Sequence, residues 1–206
     1  MLAQTLITLL DATGIVVFAA SGALAAARKS MDIFGFAVIS VITAVGGGTV
    51  RDLILGISPV TWVGNNLYII LALITACVVY AAESRISSRL RLLTWLDAMG
   101  LALFASLGAQ TALQLETSGL IAVMMGIITA VFGGMIRDII CNEIPLILQQ
   151  EIYATAAFGA AIAVVAASTA GLDPLLAIAI GTISGFTIRA LAIVYGWSLP
   201  TPASRS

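Results

Sequence analysis

Two short runs hold the residues able to do chemistry: Gly46-Gly47-Gly48-Thr49-Val50-Arg51-Asp52 and Phe132-Gly133-Gly134-Met135-Ile136-Arg137-Asp138. Each sets a guanidinium beside a carboxylate, three residues beyond consecutive glycines. Asp11 and Asp97, each with a glycine three residues on, add two carboxylates in apolar surroundings. Such groups hold, attract or repel charge. They do not make a catalyst. The chain has no histidine, and Cys77 and Cys141 have neither metal-ligand nor disulfide-framework spacing. Ser–His and Cys–His nucleophiles and most zinc sites are excluded, so no enzyme, metal or cofactor is expected.

The surroundings explain what such charges are for. Of 206 residues, 61% are apolar and 9% charged, against roughly 45–50% and about 25% in a soluble domain. Mean hydropathy is +1.13. There is too little polar surface for a water-soluble globule, and a net charge of −1 offers nothing to nucleic acid. The expected fold is an all-α integral membrane protein. Charges, Pro and Asn divide it into seven apolar stretches near 4–27, 33–54, 63–82, 92–113, 119–138, 152–170 and 175–197. The first is read as a retained span, because it lacks a basic leader region and contains Asp11. Arg28 and Lys29, then Arg85, Arg89 and Arg91, then Arg205 all fall on one side of seven spans. The expected orientation is N-terminus outside and C-terminus cytoplasmic, with 198–206 a short cytoplasmic tail.

A shift of 86 residues lays the sequence on itself. Identity holds at 7 of 13 positions in window 11–23 and at 9 of 17 in window 43–59. Each copy holds three spans, so the second enters the membrane from the opposite side. The architecture expected is two inverted three-helix repeats, over 4–84 and 90–170, plus an added helix over 175–197. All of 1–197 then forms a single transmembrane domain.

The repeated glycines have two readings. Gly46, Gly47, Gly48, Gly133 and Gly134 break or kink the second and fifth spans beside a permeation path, or they let helices pack closely. The expectation here is the break. Neighbouring side chains on a helix point about 100° apart, so each arginine is expected to pair on another helix. Arg51 would take Asp97 or Asp138, and Arg137 would take Asp11 or Asp52. The alternative is that both Arg–Asp pairs snorkel at span ends. Asp11 and Asp97 either attract cations or serve as the acidic halves of pairs between the repeats. Arg189 lines the path or snorkels, and snorkelling is expected. Ala177, Gly181 and Gly185 form a small-residue stripe for helix contact, within the protomer or between subunits. Trp62, Trp95, Trp197, Tyr68 and Tyr195 read as interfacial anchors.

The doubled Gly-Gly-Xaa-Xaa-Arg-Asp, the 86-residue repeat, the aspartates of spans one and four and the added seventh span together resemble the prokaryotic branch of the trimeric intracellular cation (TRIC) channel family. The resemblance implies homotrimers in the lipid of a prokaryotic inner membrane with a pore in every subunit, kinks at the two glycine runs, and passive passage of monovalent cations, chiefly K⁺. Thr49, Arg51, Asp52, Arg137 and Asp138 become the pore-facing candidates. Animal members carry Lys-Glu-Val after the fifth-helix glycines and bind a phosphoinositide there. This chain reads Met135-Ile136-Arg137-Asp138, so that dependence does not carry over. The same sequence group also resembles proteins described as glycine transporters, which makes a secondary carrier for a small zwitterion the alternative to a channel.

Overall fold

The computed structural model describes residues 2–86 and 89–200. The helices are α1 (Leu2–Arg28), α2 (Ile33–Leu55), the single turn α3 (Thr61–Gly64), α4 (Leu67–Ala82), α5 (Arg89–Gln114), α6 (Gly119–Ile140), α7 (Ala154–Thr169) and α8 (Pro174–Tyr195). The Arg85 and Arg89 side chains, and all of Arg205, which entered the charge argument, lie outside the described residues, as does most of the expected tail.

Caps mark where helices begin. Asp32 accepts a hydrogen bond from Gly35 N at 2.8 Å to start α2, and Ser118, 86 residues on, does the same for Ile121 N at 3.4 Å to start α6. Asp173 caps α8, with Pro174 at its first position. Helices α1, α2, α5, α6 and α8 are each long and apolar enough to cross a bilayer. The protein is a multi-pass membrane protein.

Two stretches expected as full spans are shorter. Helices α4 and α7 have 16 residues each, about 24 Å of helix against a hydrocarbon core of about 30 Å. Residues 63 and 64 of the first stretch fall in the one-turn α3 instead, and the second stretch is preceded by the 3₁₀ turn Leu146–Leu148. Asp52 and Asp138 hold those turns, as described below.

Helices α1, α2 and α4 pack on one another, and so do α5, α6 and α7. The two trios meet along α1 against α5 and α2 against α6, while α8 lies on α5 and α7. Glycine makes both crossings possible. The Phe18 ring occupies the space where a Gly100 Cβ would stand, and the Phe104 ring does the same at Gly14. The two rings sit 5.1 Å apart. At the other crossing a Cβ on Gly47 would fall inside the Thr129 carbonyl oxygen, and one on Gly133 inside that of Thr43.

Helices α2 and α6 stay helical through their glycine runs. The expected loss of helix does not occur, and Gly47 and Gly133 allow the two helices to approach closely. The Ala177–Gly181–Gly185 stripe of α8 faces inward. A Cβ at Gly181 would strike Val164 and the Ala160 carbonyl of α7 and Ser106 of α5, so these residues join α8 to its own protomer.

Candidate functional site

Arg51 and Asp52 close α2 on its inner side. Arg51 donates from Nε at 2.8 Å and from Nη2 at 2.7 Å to Asp52 Oδ1. The expected partners on other helices are therefore wrong for Arg51. Its long side chain folds back across the gap that separates adjacent Cβ positions. Asp52 Oδ2 accepts from the Thr61 backbone N at 2.8 Å and from Thr61 Oγ1 at 2.6 Å, which anchors α3. Thr61→Val removes one of these two donors. The expected cost is about 1–2 kcal/mol, read as a lower thermal unfolding midpoint in detergent with α3 less protected from hydrogen exchange.

Asp11 of α1 faces the Tyr68 hydroxyl of α4, with the Arg51 guanidinium nearby. Thr49 carries the Trp62 indole, whose Nε1 donates to Thr49 Oγ1 at 2.9 Å. Asp11, Gly48, Arg51, Asp52, Trp62 and Tyr68 line one narrow cavity of about 30 Å³, room for roughly two waters. A Gly48 side chain would project beside Arg51, with nothing closer than Nη2 at 3.9 Å. Tyr68 and Trp62 thus belong to the site and are not interfacial anchors.

The same groups recur on α5 and α6, but closed. Arg137 is 1% exposed and donates from Nε to Asp138 Oδ1 at 2.9 Å and from Nη1 to Asp97 Oδ1 at 2.7 Å. It also donates to Ser21 of α1. Its expected partners, Asp11 and Asp52, lie in the other cluster. The inter-repeat role expected of Asp97 is corrected as well, because α5 and α6 belong to one trio. Asp138 Oδ2 accepts from Leu146 N at 3.2 Å, the counterpart of Asp52 holding Thr61. Three buried atoms here make no hydrogen bond of standard geometry: Asp97 Oδ2, Arg137 Nη2 and the Tyr153 hydroxyl. A Cβ on Gly134 would point among them, with Tyr153 Oη at 3.1 Å.

Arg189 does not snorkel. It is 2% exposed, lies 5.4 Å over the Tyr153 ring, donates from Nη1 to the Ile152 carbonyl at 3.3 Å, and pairs with Glu151. Sequence reasoning passed over Tyr153, Thr61, Ser21 and Glu151. Tyr68 and Tyr153 are 85 residues apart, one out of register with the repeat, which hid their equivalence.

Among solved structures, a TRIC trimeric intracellular cation channel orthologue from Rhodobacter sphaeroides matches with a TM-score of 0.91 at 45% identity, over 94% of this chain and 100% of that one. The chain belongs to the prokaryotic TRIC family. A prokaryotic TRIC channel crystallised in 0.5 M KCl matches this TRIC chain with a TM-score of 0.89 at 30% identity, over 95% and 100% of the two chains. The family's sequence model, described as Glycine transporter, covers residues 8–84 and 94–169. A UPF0126 membrane protein of Vibrio cholerae is 41% identical over 201 residues, 96% of this chain and 83% of that protein. The UPF0126 inner membrane protein YadS of Escherichia coli K12 is 42% identical over 199 residues, 93% and 94% of the two. These solved TRIC neighbours are channels rather than enzymes.

Proposed function

We propose that this TRIC-family chain is a K⁺-permeable channel for monovalent cations, a homotrimer with one pore per subunit. In this reading residues 1–197 form one transmembrane unit of two inverted three-helix repeats, 4–84 and 90–170, with an accessory helix over 175–197. The pore runs between the repeats past Asp11, Thr49, Arg51 and Asp52 and past Asp97, Arg137 and Asp138, and α2 and α6 bend at their glycines. The odd number of spans per copy supports inversion. Arg28, Lys29 and Arg91 support an outside N-terminus and a cytoplasmic C-terminus. Trimer and cation enter from the solved relatives, whose descriptions name trimeric and cation channels.

Charge is the observation that carries the reading. Each cluster sets two carboxylates against one guanidinium: Asp11 and Asp52 around Arg51, Asp97 and Asp138 around Arg137. An arginine beside a pore repels cations, but each here is bonded to an aspartate of its own cluster, and the formal balance is −1 in each. That favours a cation over an anion. A cavity with room for two waters admits a dehydrated monovalent ion, which is about the size of water.

The test is conductance of purified protein in planar bilayers under a KCl gradient. Wild type is expected to show single-channel currents with a reversal potential on the K⁺ side. Asp11→Asn should lower K⁺ conductance severalfold at 0.1 M salt and much less at 1 M, where the screening length is about 3 Å. Equal conductance at low salt would remove Asp11 from the path.

A second reading is a carrier for glycine or another small zwitterion. It is favoured by Asp11 and Arg51 facing one cavity and by the description of the family model. It requires the cavity to widen, since a zwitterion with five heavy atoms exceeds two waters. Saturable glycine uptake into proteoliposomes, lost in Arg51→Ala, would establish it in place of the channel.

A further inference from the structure

The two charged clusters share their chemistry and differ in access. The first lines a cavity. The second is tighter around Arg137 and Asp97, each 1% exposed, where Asp97 Oδ2, Arg137 Nη2 and the Tyr153 hydroxyl crowd together without a hydrogen bond of standard geometry. What covers it is Tyr153 at the start of α7, whose hydroxyl lies among Asp97, Arg137 and Gly134. Its ring is covered on the other side by Arg189 of α8. Beyond Arg189 lies an open pocket of about 460 Å³ lined by Thr94, Gln149, Gln150, Glu151 and Trp197. Tyr68, at the matching place in the first half, is also buried but lines the cavity beside Asp11 and Arg51.

Helix α8 grips the segment before Tyr153 at two points. Arg189 pairs with Glu151, and past the end of α8 Ser198 bridges Glu151 while Leu199 N donates to the Gln150 carbonyl at 2.8 Å. Residues 198 and 199 are therefore docked and not part of a free tail. The Glu151 side chain is 42% exposed while that of Arg189 is 2% exposed. Both halves of the pair line the pocket, the carboxylate far more openly than the guanidinium. That is the arrangement of a device that opens.

We propose that the Glu151–Arg189 pair is a latch through which α8 holds Tyr153 over the second charged cluster, so that releasing it joins the cluster to the adjoining pocket and raises cation flux. The consequence for flux rests on the channel reading; the closure over the cluster does not. Arg189 and Glu151 act as positioning residues, because Tyr153 alone reaches the cluster.

Two measurements on the full chain in proteoliposomes test this: K⁺ flux, and hydroxyl-radical labelling of Tyr153 read by mass spectrometry. Wild type should label poorly at Tyr153. Glu151→Gln and Arg189→Met should raise both labelling and flux severalfold, while Arg189→Lys, which keeps the cation, should keep both low. Should Arg189→Met fail to fold, Glu151→Gln carries the test, since it changes a half-exposed side chain by one atom. Unchanged Tyr153 labelling in a folded Glu151→Gln protein would overturn the latch. If no variant passes K⁺ but labelling rises, the latch stands and the channel reading falls.

Discussion

Arg137→Met is expected to be the most damaging single substitution in the protein. Methionine keeps an apolar stem but has no guanidinium, so the charge and its hydrogen bonds are lost together. Arg137 bonds Asp97, Asp138 and Ser21, it and Asp97 being 1% exposed, and its removal strands two buried carboxylates. Breaking a buried pair by deleting one partner costs about 3–5 kcal/mol. The equivalent Arg51→Met should cost clearly less, because Arg51 borders a cavity that admits water and Asp52 keeps both Thr61 donors. Thermal unfolding of both variants in one detergent measures the difference. Combining Arg137→Met with Asp97→Asn should recover part of the loss, since one stranded charge goes with it. Equal loss in the two arginine variants would show that the tighter enclosure of the second cluster has no energetic consequence.

Gly47→Ala should follow closely. Its methyl would stand inside the Thr129 carbonyl oxygen, and backbone cannot rotate away as a side chain can. Ordinary overpacking costs about 1–3 kcal/mol, and a backbone collision belongs at or beyond the top of that range. Alanine's better helix propensity returns only about 1 kcal/mol. Gly133→Ala should behave alike against the Thr43 carbonyl, while Gly48→Ala, with nothing closer than 3.9 Å, should be tolerated or mildly stabilising. A folded, thermally unchanged Gly47→Ala protein would mean that α2 and α6 do not cross as described.

Much of this was legible in the residues. Composition alone put the chain in lipid, and the repeat located both charged clusters. The misreadings share a physical cause. Pairing was inferred from the directions of Cβ atoms, and that rule fails for a side chain as long as arginine, which reaches the aspartate next to it. Hydropathy starts the third span at 63, inside α3, since it has no sense of the Asp52 carboxylate that holds Thr61 and so begins a separate turn there. Aromatic residues near span ends were assigned to the interface by position, although Trp62 and Tyr68 turn inward to Thr49 and Asp11. Arg189 reads as a snorkelling charge in the sequence because its partner, Glu151, is 38 residues away.

The reciprocity of Phe18 on Gly100 and Phe104 on Gly14 has a bearing on ancestry. A contact in which knob and notch exchange places is self-complementary, as in an isologous dimer. One ancestral polypeptide bearing a single phenylalanine and a single glycine at these places would fit a sister molecule facing the other way, before any gene fusion joined them. It also means that neither half offers a finished surface alone. Fragments expressed separately, cut between residues 86 and 89, have reason to find each other in the bilayer.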